Sequence, residues 1–463
     1  MLPLANNYLF AKGIPMKNEI TMLNSYNTPD TVIMIATYPG RKNRSIEHID
    51  AVASYTDHLS SSLIQTLRNR GKKFLILSQM ESNTPSWNIE NGILIGRIWK
   101  KGSVLCYAQI LQTLFSYFNT VRSIFIQFEF HQFGGNTTTL GFPFFLGALK
   151  ILNRSVSVVM HQVVEDIASL SGHLHLKKNS IRTLLFNKAL NIFYTLSSIF
   201  SDSITTHNAV LASRFEHITG KPVTTVIPHG LGTIHHNISK KSARKLLGYK
   251  NNDYITLHFG FLTWYKGSDW LVKQFSHFTN KNVKLLMAGG ESPNLYELPY
   301  YQKFIAGIKK TIDKTKSIVL TGFIADKNLR LYFAAADLVI LPYRTLMSSS
   351  GPLAMAIAYS KPFILSKALL PYTDDPDFQS TLRTHGISAQ NMSFALQPDS
   401  FQRAISFAQK NHKTLTALSK SLSQTRNWHV VSEKFADIIE STDYEKQKKF
   451  AIMGREPSLS YAS

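Results

Sequence analysis

Short, unbroken apolar runs alternate along this chain with longer stretches in which apolar residues recur at helical spacing. Residues 317–341 show the pattern most clearly: a β-branched run at 317–321, helical spacing over 327–336, then a compact run at 338–341 before Pro342. This reads as a βαβ unit. Ser349-Ser350-Gly351-Pro352 follows and opens another helical pattern. Proline suits the first helical turn, where its missing N–H costs nothing, and glycine lets backbone approach a ligand closely. A helix start just beyond the carboxyl end of a parallel strand turns free N–H groups toward an anion.

The same alternation runs from residue 31 onward. Strands are expected at 31–37, 74–77, 93–98, 124–128, 156–160, 203–206 and 224–227, with a long helix over 47–70 closed by Gly71. The pattern is interrupted by the polar, basic stretch 235–252 and restarts with strands at 254–259, 283–288, 317–321, 338–341 and 362–365. Helical patterns at 303–314, 399–423 and 430–441 complete it. The fold class is therefore α/β, with two doubly wound Rossmann-like domains at 31–234 and 253–441. Residues 1–30 read as an irregular tail and 442–463 as a polar one.

Composition narrows the chemistry. A chain of 463 residues with 44% hydrophobic content can build two full cores. Its single cysteine, Cys106, rules out an internal disulfide and fits a reducing, cytoplasmic setting. No secretory leader pattern is seen at the start, and the apolar stretches at 139–149 and 189–200 fall short of the roughly 20 residues needed to span a bilayer. A net charge of +22 calls for anionic partners. Nucleic acid is disfavoured because the basic residues are scattered and no binding module is recognisable. The stretch 173–200 mixes Lys177, Lys178, Arg182 and Lys188 with Leu184, Leu185 and Phe186, and suits either an anionic membrane surface or an ordinary helix with one face in the core. Peripheral attachment to the inner face of a membrane is the corresponding expectation.

Candidate chemistry collects at predicted strand ends. QFEFHQFGGN places Glu129, His131, Gly134 and Gly135 beyond one strand, and His161 directly follows another, which would aim its imidazole at the cleft. In the second domain Lys266 lies on a glycine-flanked turn, Arg344 follows Pro342, and Ser349, Ser350 and Gly351 open a helix. Together these groups can neutralise a diphosphate without a metal. No Asp-x-Asp occurs, and Asp374-Asp375 falls in an expected loop, so no metal site and no cofactor is assigned.

Five segments in order, VTTVIPHG, HFGFLTWYKG, LLMAGG, LTGFIADKNLRLYFAAADLVILPYR and SSSGPLAMAIAYSKPFILS, resemble the retaining glycosyltransferases of the two-domain GT-B fold, in particular family four. The resemblance runs from Thr31 to about Ser441. It implies a nucleotide sugar held mainly by the second domain, with Lys266 on the diphosphate, the Gly351 helix start on phosphate or sugar hydroxyls, and Gly260, Gly289, Gly290 and Glu291 lining the nucleotide side. It also matches His161 to a histidine near the donor sugar and Gly40 to the glycine-bearing first loop. A glycan or lipid-linked hydroxyl would be the acceptor, on the side of Glu129, His131, Gly134 and Gly135. The paired glutamates common in the family are missing: the alignable positions are Met347 and Met355, or Ser348 and Ala356. The arginine that often accompanies the lysine is also absent, Arg344 being the nearest substitute. A non-catalytic nucleotide-sugar binder of the same fold is the alternative.

Overall fold

The computed structural model describes residues 17–41, 51–130, 132–167, 180–232, 238–278, 280, 282–293, 295–346 and 349–453. In chain order the first half contains α1 (Lys17–Tyr26), β1 (Thr31–Ile35), α2 (Ala51–Asn69), β2 (Lys73–Gln79), β3 (Ser86–Glu90), β4 (Ile93–Trp99), α3 (Cys106–Tyr117), β5 (Ser123–Phe128), α4 (Asn136–Ile151), β6 (Ser155–Met160), α5 (Ile181–Phe200), β7 (Ser203–Thr206), α6 (Ala209–Thr219) and β8 (Thr225–Val226). The second contains α7 (Lys240–Leu246), β9 (Tyr254–Phe259), α8 (Ser268–Ser276), β10 (Val283–Ala288), α9 (Pro299–Ile312), β11 (Ile318–Leu320), α10 (Asp326–Ala335), β12 (Leu338–Leu341), α11 (Gly351–Ala358), β13 (Phe363–Ser366), α12 (Pro376–Thr384), β14 (Ser393–Phe394), α13 (Pro398–Lys410), α14 (His412–Thr425) and α15 (Trp428–Met453).

The strands form two sheets, ordered β3-β4-β2-β1-β5-β6-β7-β8 and β11-β10-β9-β12-β13-β14. Every pair is parallel except β3–β4. Helices cover both faces of such sheets, which explains why β1, β4, β5, β6 and β12 are buried at every position rather than at alternate ones, with β12 and residues 32–35 of β1 apolar throughout. The strand β3 was not expected, although Asn91-Gly92 between two apolar segments encodes it. Both residues take positive φ, 51° and 77°, as a tight hairpin turn requires.

Three boundaries differ from the sequence reading. Residues 17–26 are helical rather than an irregular tail: Leu23 is buried, and the Asn27 side chain ties the segment to Asn119 and Thr120. The helix α7 lies inside the stretch read as a boundary, held to the second domain because buried Arg244 and Lys240 both pair with Asp337. The last helix extends beyond residue 441 to Met453, with Thr442 and Asp443 buried and Lys446 paired to Asp202 at 2.9 Å.

That helix belongs by contact to the first domain. Phe435 packs on Phe125 with ring centroids 5.4 Å apart, and Arg70 of α2 pairs with Asp437 and Glu440 at 2.8 and 2.9 Å. The chain thus crosses between domains twice, side by side: Leu231 pairs with Asn427, and a Cβ on Gly230 would lie 2.1 Å from the Trp428 ring. Glycine is required there because the indole occupies the space.

Candidate active site

The carboxyl ends of β9, β10 and β12 meet at a cluster of close backbone approaches. Gly260 has φ +103°, and a Cβ on it would come within 2.9 Å of the Lys266 Nζ and 3.3 Å of Pro352 at the start of α11. A Cβ on Gly289 would lie 2.0 Å from the Gly260 carbonyl oxygen. Gly267, with φ +71°, lies against the Pro342 carbonyl, and the Arg344 N–H donates to the Tyr265 carbonyl at 2.7 Å. The Lys266 turn is therefore clamped to the loop after β12 by backbone contacts that side chains would block.

Lys266 is buried, and burial pushes its ammonium down to about 8. No carboxylate among the described residues pairs with it. Its buried neighbour His258 donates from Nδ1 to the Ile340 carbonyl and accepts at Nε2 from the Ser268 hydroxyl at 3.0 Å. Burial holds that ring down to about 4, so it stays neutral beside the lysine. Facing this cation, α11 begins at Gly351 with open space where a Cβ would be, and the Ser350 hydroxyl accepts from the Leu353 N–H as N-cap. Ser350 also contacts the Tyr343 hydroxyl at 3.0 Å, and Ser349 adjoins it in the same loop. A desolvated lysine beside a helix start is an anion site by Coulomb attraction and by the helix dipole together.

Beside it a cavity of about 250 Å³ is lined by Leu262, Gly289, Gly290, Glu291, Gly322 and Phe323. Glu291 accepts from Lys309 at 2.7 Å, which holds its carboxylate at the rim. A larger cavity of about 360 Å³ between α8 and α13 lies by Val283, at the amino end of β10, away from these groups.

Arg344 takes a different place from that expected. Its guanidinium forks onto the Asp269 carboxylate at 2.7 and 2.8 Å, donates to the Trp264 carbonyl and lies 5.1 Å over the Trp264 ring. Its charge is already paired in the first turn of α8, just after the turn that carries Lys266. Of the positions where the family's second glutamate would fall, Ala356 is wholly buried and Met355 partly so, while 347 and 348 lie outside the described residues.

Across the cleft, Gln162 donates to Glu129 at 2.8 Å. The Glu129 carboxylate is near enough to Tyr265 to raise its phenol, which burial chiefly pushes up to about 12. The structure therefore brings Glu129 and the Lys266 turn together from opposite domains. Gly135 caps α4 with open space around it. Gly134 has a structural reason, since a Cβ there would strike Gly102 at 2.5 Å. His131 lies outside the described residues. Gly40 sits in the loop after β1 beside Glu81, whose carboxylate pairs at 2.6 Å with the buried Arg97.

His161 ends β6 as expected, but its ring is buried rather than open to the cleft. Its Nε2 meets the Gln127 side chain at 2.7 Å and its Nδ1 meets His207 Nε2 at 3.3 Å, while His207 Nδ1 donates to the Ile227 carbonyl at 3.0 Å. The carbonyl sets the direction of the whole chain: His207 Nε2 must accept, so His161 Nδ1 donates and His161 Nε2 accepts. Gln127 must then present its NH₂, which also satisfies an amide nitrogen otherwise left without a partner. Burial, then the neighbouring His207 and His229, holds His161 well below its ordinary value, and burial pushes His207 to about 3 and His229 to about 4. All three rings pack on Tyr55, with centroids 4.8 to 5.1 Å away. His207 stands just after a strand as His161 does, and that shared position was the signal available for it.

Asp375 is no metal ligand candidate. Its carboxylate is wholly buried, accepts from the Ala209 N–H at 2.9 Å at the start of α6, and meets Arg426 at 3.2 Å. Among the described residues no three His, Cys, Asp or Glu side chains group as a metal site.

Residues 253–377, which hold the Lys266 turn, the glycine cluster and the Gly351 helix start, match the family described as Glycosyl transferases group 1. No curated protein matches the chain. Among solved structures, sucrose-phosphate synthase from Thermosynechococcus elongatus superposes with a TM-score of 0.65 at 13% identity, covering 90% of this chain and 99% of that one. Anabaena HepE in complex with UDP-glucose does so at 0.60 and 15%, covering 89% and 99%. The UDP-forming α,α-trehalose-phosphate synthase from Burkholderia vietnamiensis gives 0.59 and 10%, covering 90% and 99%. The chain has the GT-B fold.

Proposed function

We propose that this GT-B protein is a glycosyltransferase that moves a hexosyl group, mannosyl or glucosyl foremost, from a nucleoside-diphosphate sugar to a hydroxyl of a glycan, lipid or other acceptor. Retention of anomeric configuration and independence from metal are part of the proposal. The observation that carries it is Lys266: a buried cation without a carboxylate partner among the described residues, at the mouth of a glycine-lined turn and opposite a helix start. A fold stabilises such a charge only at a cost, and a bound diphosphate would offset it. The family match over the same residues and the likeness to HepE, solved with UDP-glucose, support the reading.

In this reading the cavity beside Gly289, Gly290 and Phe323 takes the nucleoside, and the diphosphate lies between Lys266 and the amino end of α11. The acceptor oxygen attacks the anomeric carbon on the face from which the phosphate departs. The bond from that carbon to the phosphate oxygen breaks, and the acceptor proton passes to the departing phosphate. Charge grows on that phosphate, where Lys266 and the Gly351 N–H would meet it, Pro352 having no N–H and those of Leu353 and Ala354 being taken by Ser350; preorganised electrostatics of this type is the main catalytic contribution. His161, with both nitrogens engaged, would act by carrying the Gln127–His207 chain up to the sugar pocket wall. Glu129 would face the acceptor.

Thermal stabilisation by UDP-, GDP- and ADP-sugars tests the binding step: a ligand at 100 times its dissociation constant adds about 2.7 kcal/mol. Silence across all three would overturn the reading. Absence of a carboxylate at Met355 and Ala356 favours a second one, a non-catalytic binder. It predicts stabilisation by a nucleotide sugar without release of nucleoside diphosphate, whether or not acceptors are present.

A further inference from the structure

The helices α3, α4 and α5 form one layer on the first sheet. A Cβ on Gly141 of α4 would lie 3.1 Å from the Tyr107 ring of α3, and one on Gly147 would lie 3.6 Å from Phe200 of α5. The inner side of this layer is ordinary core: Phe142, Phe145 and Leu146 on α4, Phe193 and Tyr194 on α5. The outer side is apolar as well. Phe144, Ile151, Ile181, Leu184, Leu185 and Ile192 stand there between 60% and 87% exposed. On α5 these positions recur at intervals of three, four and seven, which is one helix face. A helix apolar on all sides belongs in an interior, and these two are interior on one side alone.

The charges on the layer have one sign. The three helices contain no Asp or Glu, while Lys150, Arg182 and Lys188 are exposed among the apolar residues. The outward faces of second-domain helices differ: α9 presents Gln302, Lys303 and Lys310, and α13 presents Gln402, Arg403 and Lys410, without an apolar stripe. Scattered exposed apolar residues need no explanation, but six large ones on two adjoining helices mark an interaction surface.

We propose that the outer face of α4 and α5 docks the protein on an anionic lipid bilayer. Apolar side chains long enough to enter the acyl boundary, set among Lys150, Arg182 and Lys188 on helices that themselves contain no acidic residue, match lipid tails beneath negative headgroups; Asp166 accepts from Asn187, which lies about a third of a turn away from the apolar stripe of α5. No helix among the described residues is long and apolar enough to cross a membrane, so the contact is lateral. Lys177 and Lys178 lie outside the described residues and carry no part of the argument.

The test is co-sedimentation of the full chain with phosphatidylcholine vesicles and with vesicles containing phosphatidylglycerol, read without any nucleotide sugar so that it stands apart from the transferase reading. The wild type should pellet with the anionic vesicles and far less with neutral ones, more weakly as salt rises. K150Q/R182Q/K188Q should lower the anionic partition about a hundredfold, at about 1 kcal/mol per basic residue. F144S/L184S/I192S should lower it too with an unchanged melting temperature, and K413Q/K420Q on α14 should leave it intact. Absence of binding to anionic vesicles, or binding retained in K150Q/R182Q/K188Q, would overturn the proposal. So would a dimer in solution that F144S/L184S/I192S dissociates, because the face would then be covered by a second copy.

Discussion

Replacing Lys266 by methionine separates a functional lysine from a structural one, because the two predict opposite signs. Burial brings the ammonium from its ordinary 10.5 to about 8, so holding it charged without a bound anion costs about 3 kcal/mol at pH 7. The unfolded chain keeps this proton up to pH 10.5 and the folded chain up to about 8, so between those values the unfolded state binds more protons. Wild-type stability therefore carries the full penalty below pH 8 and recovers it as pH rises toward 10.5. Methionine fills the same volume without charge. K266M should be more stable at pH 7, by up to about 3 kcal/mol, or roughly 6 to 12 °C for a domain of this size. It should also lack the rise in stability between pH 8 and 10.5. Toward a nucleoside-diphosphate sugar the change has the other sign, a loss of about 2 to 4 kcal/mol in transition-state stabilisation. Melting curves across pH with and without the donor, together with kcat/KM, read both. A K266M protein that is less stable at pH 7 and still fully stabilised by donor would refute the assignment.

H161A should lower turnover far more than donor affinity, since it breaks the Gln127–His161–His207 chain; steady-state kinetics with equal kcat would return the residue to a packing role. G260A should weaken donor binding in calorimetry and cost about 1 to 3 kcal/mol of stability, because the new Cβ meets Lys266 and the backbone holds φ +103°; unchanged donor affinity would count against the site. Asp375 is pushed up to about 6, chiefly by burial, as Arg426 is forked more closely on Asp377. Its folded state therefore holds a proton that the unfolded chain has lost, and stability falls as pH rises from 3.8 through 6. D375N keeps an acceptor for the Ala209 N–H and removes the titration, so urea denaturation should show a flatter pH dependence over that window than wild type; an identical profile would show Asp375 to titrate normally.

Local pattern determined most of the scaffold. Apolar runs such as those at 31–35 and 338–341 can only be strands buried on both faces, and the Ser350-Gly351-Pro352 sequence carries its own cap and first turn, so both were legible before any contact was known. The glycines at 260 and 267 were legible as flanking the Lys266 turn, and those at 289 and 290 as ending a strand. Tertiary structure alone decided what they approach, because each faces a residue distant in sequence. The same holds for the site's charges. Nothing local distinguishes Lys266 from Arg344, both basic and both at loop positions. The fold leaves the lysine buried without a carboxylate among the described residues and gives the arginine to Asp269, 75 residues away. His161 was legible as a strand-end histidine, but its neutral, inward state depends on His207 and Gln127, brought beside it by the parallel register of β5, β6 and β7. Likewise the amphipathic reading of residues 181–200 admitted a core-facing helix or a surface one. Packing supplied the physical reason it is both: the sheet covers one apolar side of α5, and no other element of the described chain covers the other.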